Sequence, residues 1–244
     1  MSKYLDTTKL SIREIDRKLA RDMIVKNHYS QKWTKCSVAL GLYYSDGTQH
    51  KFFDMEDEKL IGVICYGDPI GRHSGASIST EIPRENVYEL VRLFIHDGYG
   101  SNIESYLIGQ GFKWLKENQP HIKALISYAD PQAGHVGTIY QATNWIYVGQ
   151  SDSTGNEYFY KGRWTHSKTI GDKHRMYGLK IDHLKKRKTS GKIKYIYPLC
   201  PEMKTLTEKI KKPYLKKISI DGVKVTHNIS NIEKAGQYRP QCSN

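Results

Sequence analysis

The chain lacks any uninterrupted apolar run near the roughly 18 residues that a membrane-spanning helix requires, and its first ten residues carry charges and no apolar block. Neither a spanning segment nor a secretory signal is expected, so the simplest reading is a soluble cytoplasmic protein with no membrane role. Cysteine is scarce. Cys36, Cys65, Cys200 and Cys242 lie far apart and form no CxxC pair, which argues against a zinc ribbon or a disulfide framework and for reduced thiols. There is no internal repeat. Acidic residues are sparse in one region only: between Lys161 and Lys217 there are 18 Lys or Arg against 4 Asp or Glu, so the rest of a chain of net charge +13 is close to neutral.

At 244 residues, 38% of them hydrophobic, the chain can bury one sizeable core with an appendage. A neutral body with a basic C-terminal quarter suits a polyanion partner, because each neutralised phosphate releases counterions. A merely solubilising tail is the alternative. Against it stand Trp164, Tyr177, Tyr195, Tyr197 and Tyr214, interleaved with the lysines. Lys185, Lys186, Arg187 and Lys188 are the densest cluster and the candidate phosphate contacts.

Periodicity predicts a short strand within Thr8 to Glu14 and a helix over Ile15 to Lys26, where Ile12, Ile15, Leu19 and Met23 recur at helical spacing. Ser37 to Tyr44 and Lys59 to Gly67 read as an antiparallel hairpin. Asp68 to Arg84, rich in Gly, Ser and Pro, has no periodicity and reads as a mobile loop suited to a lid or substrate loop. A strand over Val87 to Ile95, a glycine turn His96 to Asn102 and a helix ended by Asn118 and Pro120 follow. Ala124 to Tyr128 then leads into Asp130-Pro131, a glycine-punctuated loop, a short helix with Tyr140, and a strand starting at Trp145. Asn156 to Lys161 is expected as the last strand of the body, Asp182 to Lys188 as a helix, Lys192 to Leu199 as a strand, Glu202 to Lys211 as a helix, and the signal fades from about Ser219. The expected fold class is α/β with a mixed sheet, divided as residues 1–162, a basic nucleic-acid-binding extension 163–218 and a tail 219–244.

The turn into the second helix places backbone N–H groups and the positive dipole end where a phosphate can sit. Gly98, Gly100, Ser101 and Asn102 form it, and a tight turn with Ser101 or Asn102 as N-cap explains it equally well. No GK[ST] follows, so it is no Walker loop, and the dinucleotide fingerprint is missing.

Strand, phosphate-type turn, helix, strand, short helix and strand resemble the GNAT acyltransferase fold. In that family a tyrosine on the short helix commonly acts as general acid toward the leaving thiolate, the place taken by Tyr140. HDGYGSN departs from the family's (Gln/Arg)-x-x-Gly-x-(Gly/Ala) signature. The chain resembles the phage Mom proteins more closely, GNAT-like enzymes that modify adenine in phage DNA against restriction nucleases. That likeness rests on His28-Tyr29-Ser30, Glu89-Leu90-x-Arg92-Leu93, Asn102-x-x-Ser105, Ser127-x-Ala129-Asp130-Pro131 and Gly134-His135-x-Gly137-Thr138-Ile139-Tyr140-Gln141-Ala142, over roughly Lys26 to Thr165.

The resemblance implies that Arg92, Asp130 and Tyr140 face the reaction and that Ser105 lies near the donor. Adenine N6 is a poor nucleophile, so its modification needs a proton acceptor and a rigidly held electrophile. Asp130 can accept from N6–H, Tyr140 can protonate a leaving group, and Arg92 can grip a phosphate. The target base must leave the duplex, and Tyr29, Trp33 or Tyr128 can stack on it. The donor is expected to be acetyl-coenzyme A or another acyl carrier, an aminoacylated RNA such as a tRNA included. Each residue also has a plain structural role open to it. Asp130 can cap a turn, Tyr140 can be a core tyrosine, Arg92 can pair with Glu89, His28 can be a helix C-cap, and Ser105 and His135 can be structural. Iron shared by His28 and Asp130 is a further expectation without supporting ligand spacing.

Other functions fit parts of the pattern. An N-acyltransferase for a protein, tRNA or small amine keeps the fold. Adenine N6 methylation is suggested by Asp130-Pro131 but lacks the rest of a DPPY motif, and a non-catalytic nucleic-acid-binding module would not need Asp130 or Tyr140.

Overall fold

The computed structural model describes residues 4–49, 56–70, 74–131, 134–151, 155–189, 191–220 and 223–228. The chain gathers into two compact units. The first comprises Met1–Ser127, Ile139–Ile146 and Tyr195–Lys211, and the second Tyr128–Thr138, Tyr147–Lys194 and the chain from Lys212 on.

The order begins β1 (Leu10–Glu14), α1 (Arg17–Asn27), β2 (Val38–Gln49), β3 (Glu56–Gly67), β4 (Val87–Ile95), α2 (Ile103–Asn118), β5 (Ala124–Ala129), α3 (Thr138–Ala142) and β6 (Ile146–Gln150). It continues with β7 (Asn156–Tyr160), β8 (Arg163–His166), α4 (Ser167–Tyr177), β9 (Lys186–Lys188), β10 (Ile193–Pro198), α5 (Pro201–Glu208), β11 (Leu215–Ile220) and β12 (Val223–Asn228). A seven-stranded sheet has the order β1-β2-β3-β4-β5-β10-β6. It is the mixed α/β sheet expected. β1 to β4 pair antiparallel, and β4 pairs parallel with β5.

Local sequence explains most of the first unit. Asp16 caps α1 by accepting from Lys18 N at 2.7 Å, and Ala20 and Ile24 bury completely against Cys65 and Val91. α2 buries Ile103, Leu107, Ile108, Gly111, Phe112 and Leu115, the apolar stripe of an amphipathic helix. Gly111 makes this approach possible, since a Cβ there would land on the Tyr66 hydroxyl. Phe112 stacks on Tyr197 of β10 at 3.7 Å between centroids, with fully buried Trp145 5.8 Å from each ring.

β4 carries an irregularity that decides which residues meet. Tyr66 pairs with Leu90 but Cys65 pairs with Arg92, so Val91 is an extra, bulged residue. Glu89 pairs with Gly67. Cys65 and Gly67 are two apart on β3 and face one way, so Glu89 and Arg92 face that way together although they are three apart. An unbroken strand would put them on opposite faces.

Several expectations are corrected. Asp182 to Lys188 is not helical: turns lead into β9, and Arg187 pairs with Glu157 of β7. Leu184 is the one apolar residue between His183 and Lys188, so helix propensity had no apolar stripe to bury, and pairing with β7 prevails. Asn156 to Lys161 does not close the main sheet; it lies in a three-stranded sheet β8-β7-β9, and β10 takes the place between β5 and β6. α4 was not anticipated. Asp68 to Arg84, where described, is anchored rather than loose: Ser74, Gly75 and Ile78 are buried, and Arg84 Nη2 donates to the Pro69 carbonyl at 2.6 Å. Beyond Ser219 the described residues form the β11-β12 hairpin. The stretch 163–218 supplies β8, α4 and β9 to the second unit and most of β10 and α5 to the first.

Candidate functional site

The site forms where β4 and β5 part. Their parallel pairing runs only from Val87 with Ala124 to Glu89 with Ile126. At the next residue Ser127, buried on β5, turns its hydroxyl to the Leu90 carbonyl at 3.1 Å and meets the Tyr140 hydroxyl at 2.7 Å. A hydroxyl has one proton to give. Ser127 Oγ therefore lies within hydrogen-bond reach of both the Leu90 carbonyl and the Tyr140 hydroxyl with one proton to share between them, and the chain Tyr140–Ser127–Leu90 fixes the position of the phenol.

Tyr140 is held from other sides as well. α3 is short, and the Trp145 N–H closes back on the Tyr140 carbonyl at 2.9 Å. The Tyr140 ring lies 5.2 Å from both the Trp145 and the Tyr195 rings. Gln141 Nε2 donates to the Tyr195 hydroxyl at 2.9 Å. Burial pushes the Tyr140 phenol up to about 12; the Ser127 hydrogen bond works against that rise, and Tyr29, Glu89 and Tyr195 add to it. At neutral pH the group is a loaded proton donor.

Arg92 comes from the same region of β4. Its Nε donates to the Lys32 carbonyl at 3.0 Å and its Nη1 to Val91 O at 2.5 Å. Burial lowers its pKa, opposed by Tyr29, Cys65 and Glu89, and the guanidinium stays charged. Glu89 accepts from the Ile70 N–H at 3.2 Å. Arg92 and Tyr140 thus respond to the same two neighbours, Tyr29 and Glu89. Tyr29 stands out from the surface at 67% exposure, immediately after the end of α1.

His28 is the C-cap of α1, with its N–H on the Ile24 carbonyl at 2.9 Å. Its Nδ1 is 2.9 Å from Ser30 Oγ and accepts from the Ser30 N–H at 3.1 Å, and its ring lies 4.3 Å from that of Tyr29. His28-Tyr29-Ser30 is thus a tight turn that presents Tyr29. Asp130 follows β5 directly, in the second unit, and its carbonyl accepts from the His135 N–H at 3.1 Å. Tyr29 and Glu89 thus stand near enough to both Arg92 and Tyr140 to act on their charge. Among the described residues no group of three or more His, Cys, Asp or Glu could hold a metal, so the iron suggested through His28 and Asp130 lacks a ligand set.

Gly98 (φ 99°), Gly100 (φ 120°) and Asn102 (φ 64°) adopt positive φ ahead of α2. Gly100 needs its freedom, since a Cβ would stand 3.0 Å from Leu5 Cα. Asn102 occupies the N-cap position without a side-chain cap hydrogen bond. The turn meets the N-terminal end of α2, whose dipole favours an anion; Glu104 in the first turn opposes one. Ser105 is half-buried on that turn.

Ser127 and Glu89 enter the sequence reading only as members of the motifs and, for Glu89, as a pairing partner of Arg92, with no role at the site assigned to either. A lone hydroxyl inside the apolar run Ala124-Leu125-Ile126-Ser127 was the available signal for Ser127.

The profile of the Mom protein family matches residues 9–216. The chain is 29% identical over 164 residues, 66% of its length, to the methylcarbamoylase mom of Escherichia phage Mu, and the match spans 61% of that relative. Among solved structures, an N-acetyltransferase from Staphylococcus aureus Mu50 superposes with a TM-score of 0.42 at 11% identity, covering 78% of this chain and 97% of that one. A spermidine/spermine N-acetyltransferase from Vibrio cholerae gives 0.46 at 9% identity, covering 82% and 98%. With the profile running from β1 to β11 and through every residue of the site, the chain belongs to the Mom protein family.

Proposed function

We propose that the chain is a DNA-modifying transferase. It adds a small acyl-derived group, of carbamoylmethyl type, to N6 of adenine in phage DNA and so shields the DNA from host restriction nucleases. The observation that carries this reading is the Tyr140–Ser127–Leu90 chain at the parting of β4 and β5, in a member of the Mom family whose relative is a methylcarbamoylase.

The residues divide the work by chemistry. Asp130, beyond the end of β5, accepts the N6 proton as the amine attacks. Tyr140 gives its proton to the leaving group or holds an oxyanion, and Ser127 keeps the phenol on line. Arg92 carries a fixed charge for a phosphate of donor or DNA. Exposed Tyr29 stacks on the flipped adenine, with Trp33 and Tyr128 as further stacking candidates. The turn from Gly98 through Ser101, Asn102 and Ser105 holds the donor's phosphate. A carrier of coenzyme A or aminoacyl-RNA type supplies the activated acyl group when bound. Duplex DNA is the acceptor, and the exposed cations Lys185, Lys186 and Lys188 meet its phosphates.

A restriction challenge tests this. Plasmid DNA from cells expressing the chain should resist nucleases whose sites contain adenine, and DNA from cells expressing Asp130→Asn or Tyr140→Phe should be cut. Equal cutting of all three, with folded protein present, overturns the reading.

A further inference from the structure

The sheet β8-β7-β9 of the second unit has two unlike faces. Glu157 pairs with both His166 and Arg187, and Phe159 pairs with Trp164, so these five side chains share one face. Tyr158, Thr165 and Lys186 share the other. α4 packs on that second face: Ile170 is buried, and Lys173 Nζ lies 5.7 Å from the Tyr160 ring centroid. The first face is open to solvent, with Phe159 at 41% and Trp164 at 36% exposure.

The open face is organised. Phe159 and Trp164 stand edge to face at 5.4 Å. The Arg187 guanidinium lies 4.3 Å from the Trp164 ring centroid, and Glu157 holds it through Nε at 2.9 Å and Nη2 at 2.7 Å. Arg187 is therefore less a loose phosphate contact than a brace that keeps a cation on an aromatic surface. The Lys185 carbonyl accepts from the Phe159 N–H at 2.8 Å, beside the pair.

Phe159 and Trp164 stand side by side and partly exposed, an aromatic pair with the geometry to receive a stacking ligand. In the part of the basic stretch that lies in the second unit, from Lys161 to Lys194, 12 Lys or Arg stand against 2 Asp or Glu, and this charge selects an anionic occupant. Bases inside a duplex hide their faces in the stack, whereas unpaired nucleotides offer both a ring face and a phosphate. We propose that the open face of β8-β7-β9 is a stacking platform for unpaired DNA: bases lie on Phe159 and Trp164, Arg187 braces the Trp164 ring, and phosphates meet the exposed Lys185. The choice of DNA rests on the transferase reading above, in which extruding an adenine creates unpaired nucleotides.

The test is binding of the full chain to a labelled single-stranded oligodeoxynucleotide, a duplex and a single-stranded RNA of equal length, followed by fluorescence anisotropy. Trp164→Leu and Phe159→Leu should each weaken single-stranded DNA binding by roughly five- to a hundredfold, the range for losing one stacked base. Trp164→Phe should retain most of it, and duplex binding should change far less. Photocrosslinking of iododeoxyuridine-bearing DNA to the unaltered chain should map to Phe159 or Trp164, a result that does not depend on how the variants fold. Crosslinks found only elsewhere, equal loss on duplex and single strand, or tighter binding of RNA would overturn the proposal. Adenine modification in DNA from cells expressing the chain reports separately on the transferase reading, and binding at the platform without such modification overturns the transferase reading alone.

Discussion

Glu89 and Arg92 lie three residues apart on β4 and face the same side of the sheet because Val91 is bulged out between them. The bulge places an acid and a half-buried guanidinium on one face at the strand's parting from β5. Arg92 is anchored through Nε to the Lys32 carbonyl at 3.0 Å, a donor that lysine does not possess. Arg92→Lys should therefore lower the initial rate of adenine modification about tenfold or more while leaving the circular dichroism spectrum unchanged. A rate within twofold of the native chain would show that charge alone suffices there.

Tyr140 should titrate far from an ordinary tyrosine. Burial raises its phenol to about 12, whereas an unfolded tyrosine titrates near 10. The protonated form is the neutral one, so the folded state holds this proton more tightly. The stabilisation linked to it is fully present below about pH 10 and is lost as pH rises toward 12. Subtracting the ultraviolet pH titration of Tyr140→Phe from that of the native chain should leave one phenol with its midpoint well above 10. A difference curve centred at 10 or below would contradict the buried, Ser127-bonded placement.

Ser127→Ala separates anchoring from chemistry. It removes the donor to Leu90 O and the partner of Tyr140, at a cost of about 1–3 kcal/mol from the buried polar groups left unpaired. Activity should fall less than in Tyr140→Phe, for which the loss of a general acid predicts about 10²–10⁴-fold. If Ser127→Ala is the more damaging to rate with the fold intact, Ser127 takes part in the chemistry itself.

Gly111→Ala pits two effects against each other. Alanine in a helix gains about 1 kcal/mol over glycine, but its Cβ would strike the Tyr66 hydroxyl, and overpacking a core typically costs about 1–3 kcal/mol. The Tyr66 hydroxyl is itself buried without a hydrogen-bond partner among the described residues. We expect a lower melting temperature for Gly111→Ala and recovery in Gly111→Ala/Tyr66→Phe, because the ring carbon that remains would be 3.1 Å away. No recovery would place the cost elsewhere.

The residues that carried period and punctuation were legible. Ile15 to Lys26 and the helix after Asn102 could be read because each buries one face locally, and Val87 to Ile95 because it is a short apolar run buried on both faces at its start. What escaped depends on partners distant in sequence. Nothing around Val91 announces a bulge, since its cause is the register with β3. β10 enters between β5 and β6 from almost fifty residues downstream, and Lys186-Arg187-Lys188 extends because Glu157 and β7 await it. Tyr140 is legible through resemblance, whereas the motif Ser127-x-Ala129-Asp130-Pro131 does not show that Ser127 is its hydrogen-bond partner.

The cations of the second unit make a prediction of their own. Replacing Lys185, Lys186 and Lys188 together with alanine should weaken duplex binding and flatten the dependence of log affinity on log salt by roughly 0.9 for each phosphate no longer neutralised. An unchanged slope would show that the duplex runs elsewhere.

The central claim is tested most directly by mass spectrometry of nucleosides from the DNA of cells expressing the chain. The account predicts that part of the deoxyadenosine is replaced by a heavier nucleoside whose added mass resides on the base, and that this species disappears in Tyr140→Phe. Unaltered deoxyadenosine alongside abundant folded protein, or a modified nucleoside that persists in Tyr140→Phe, would contradict it.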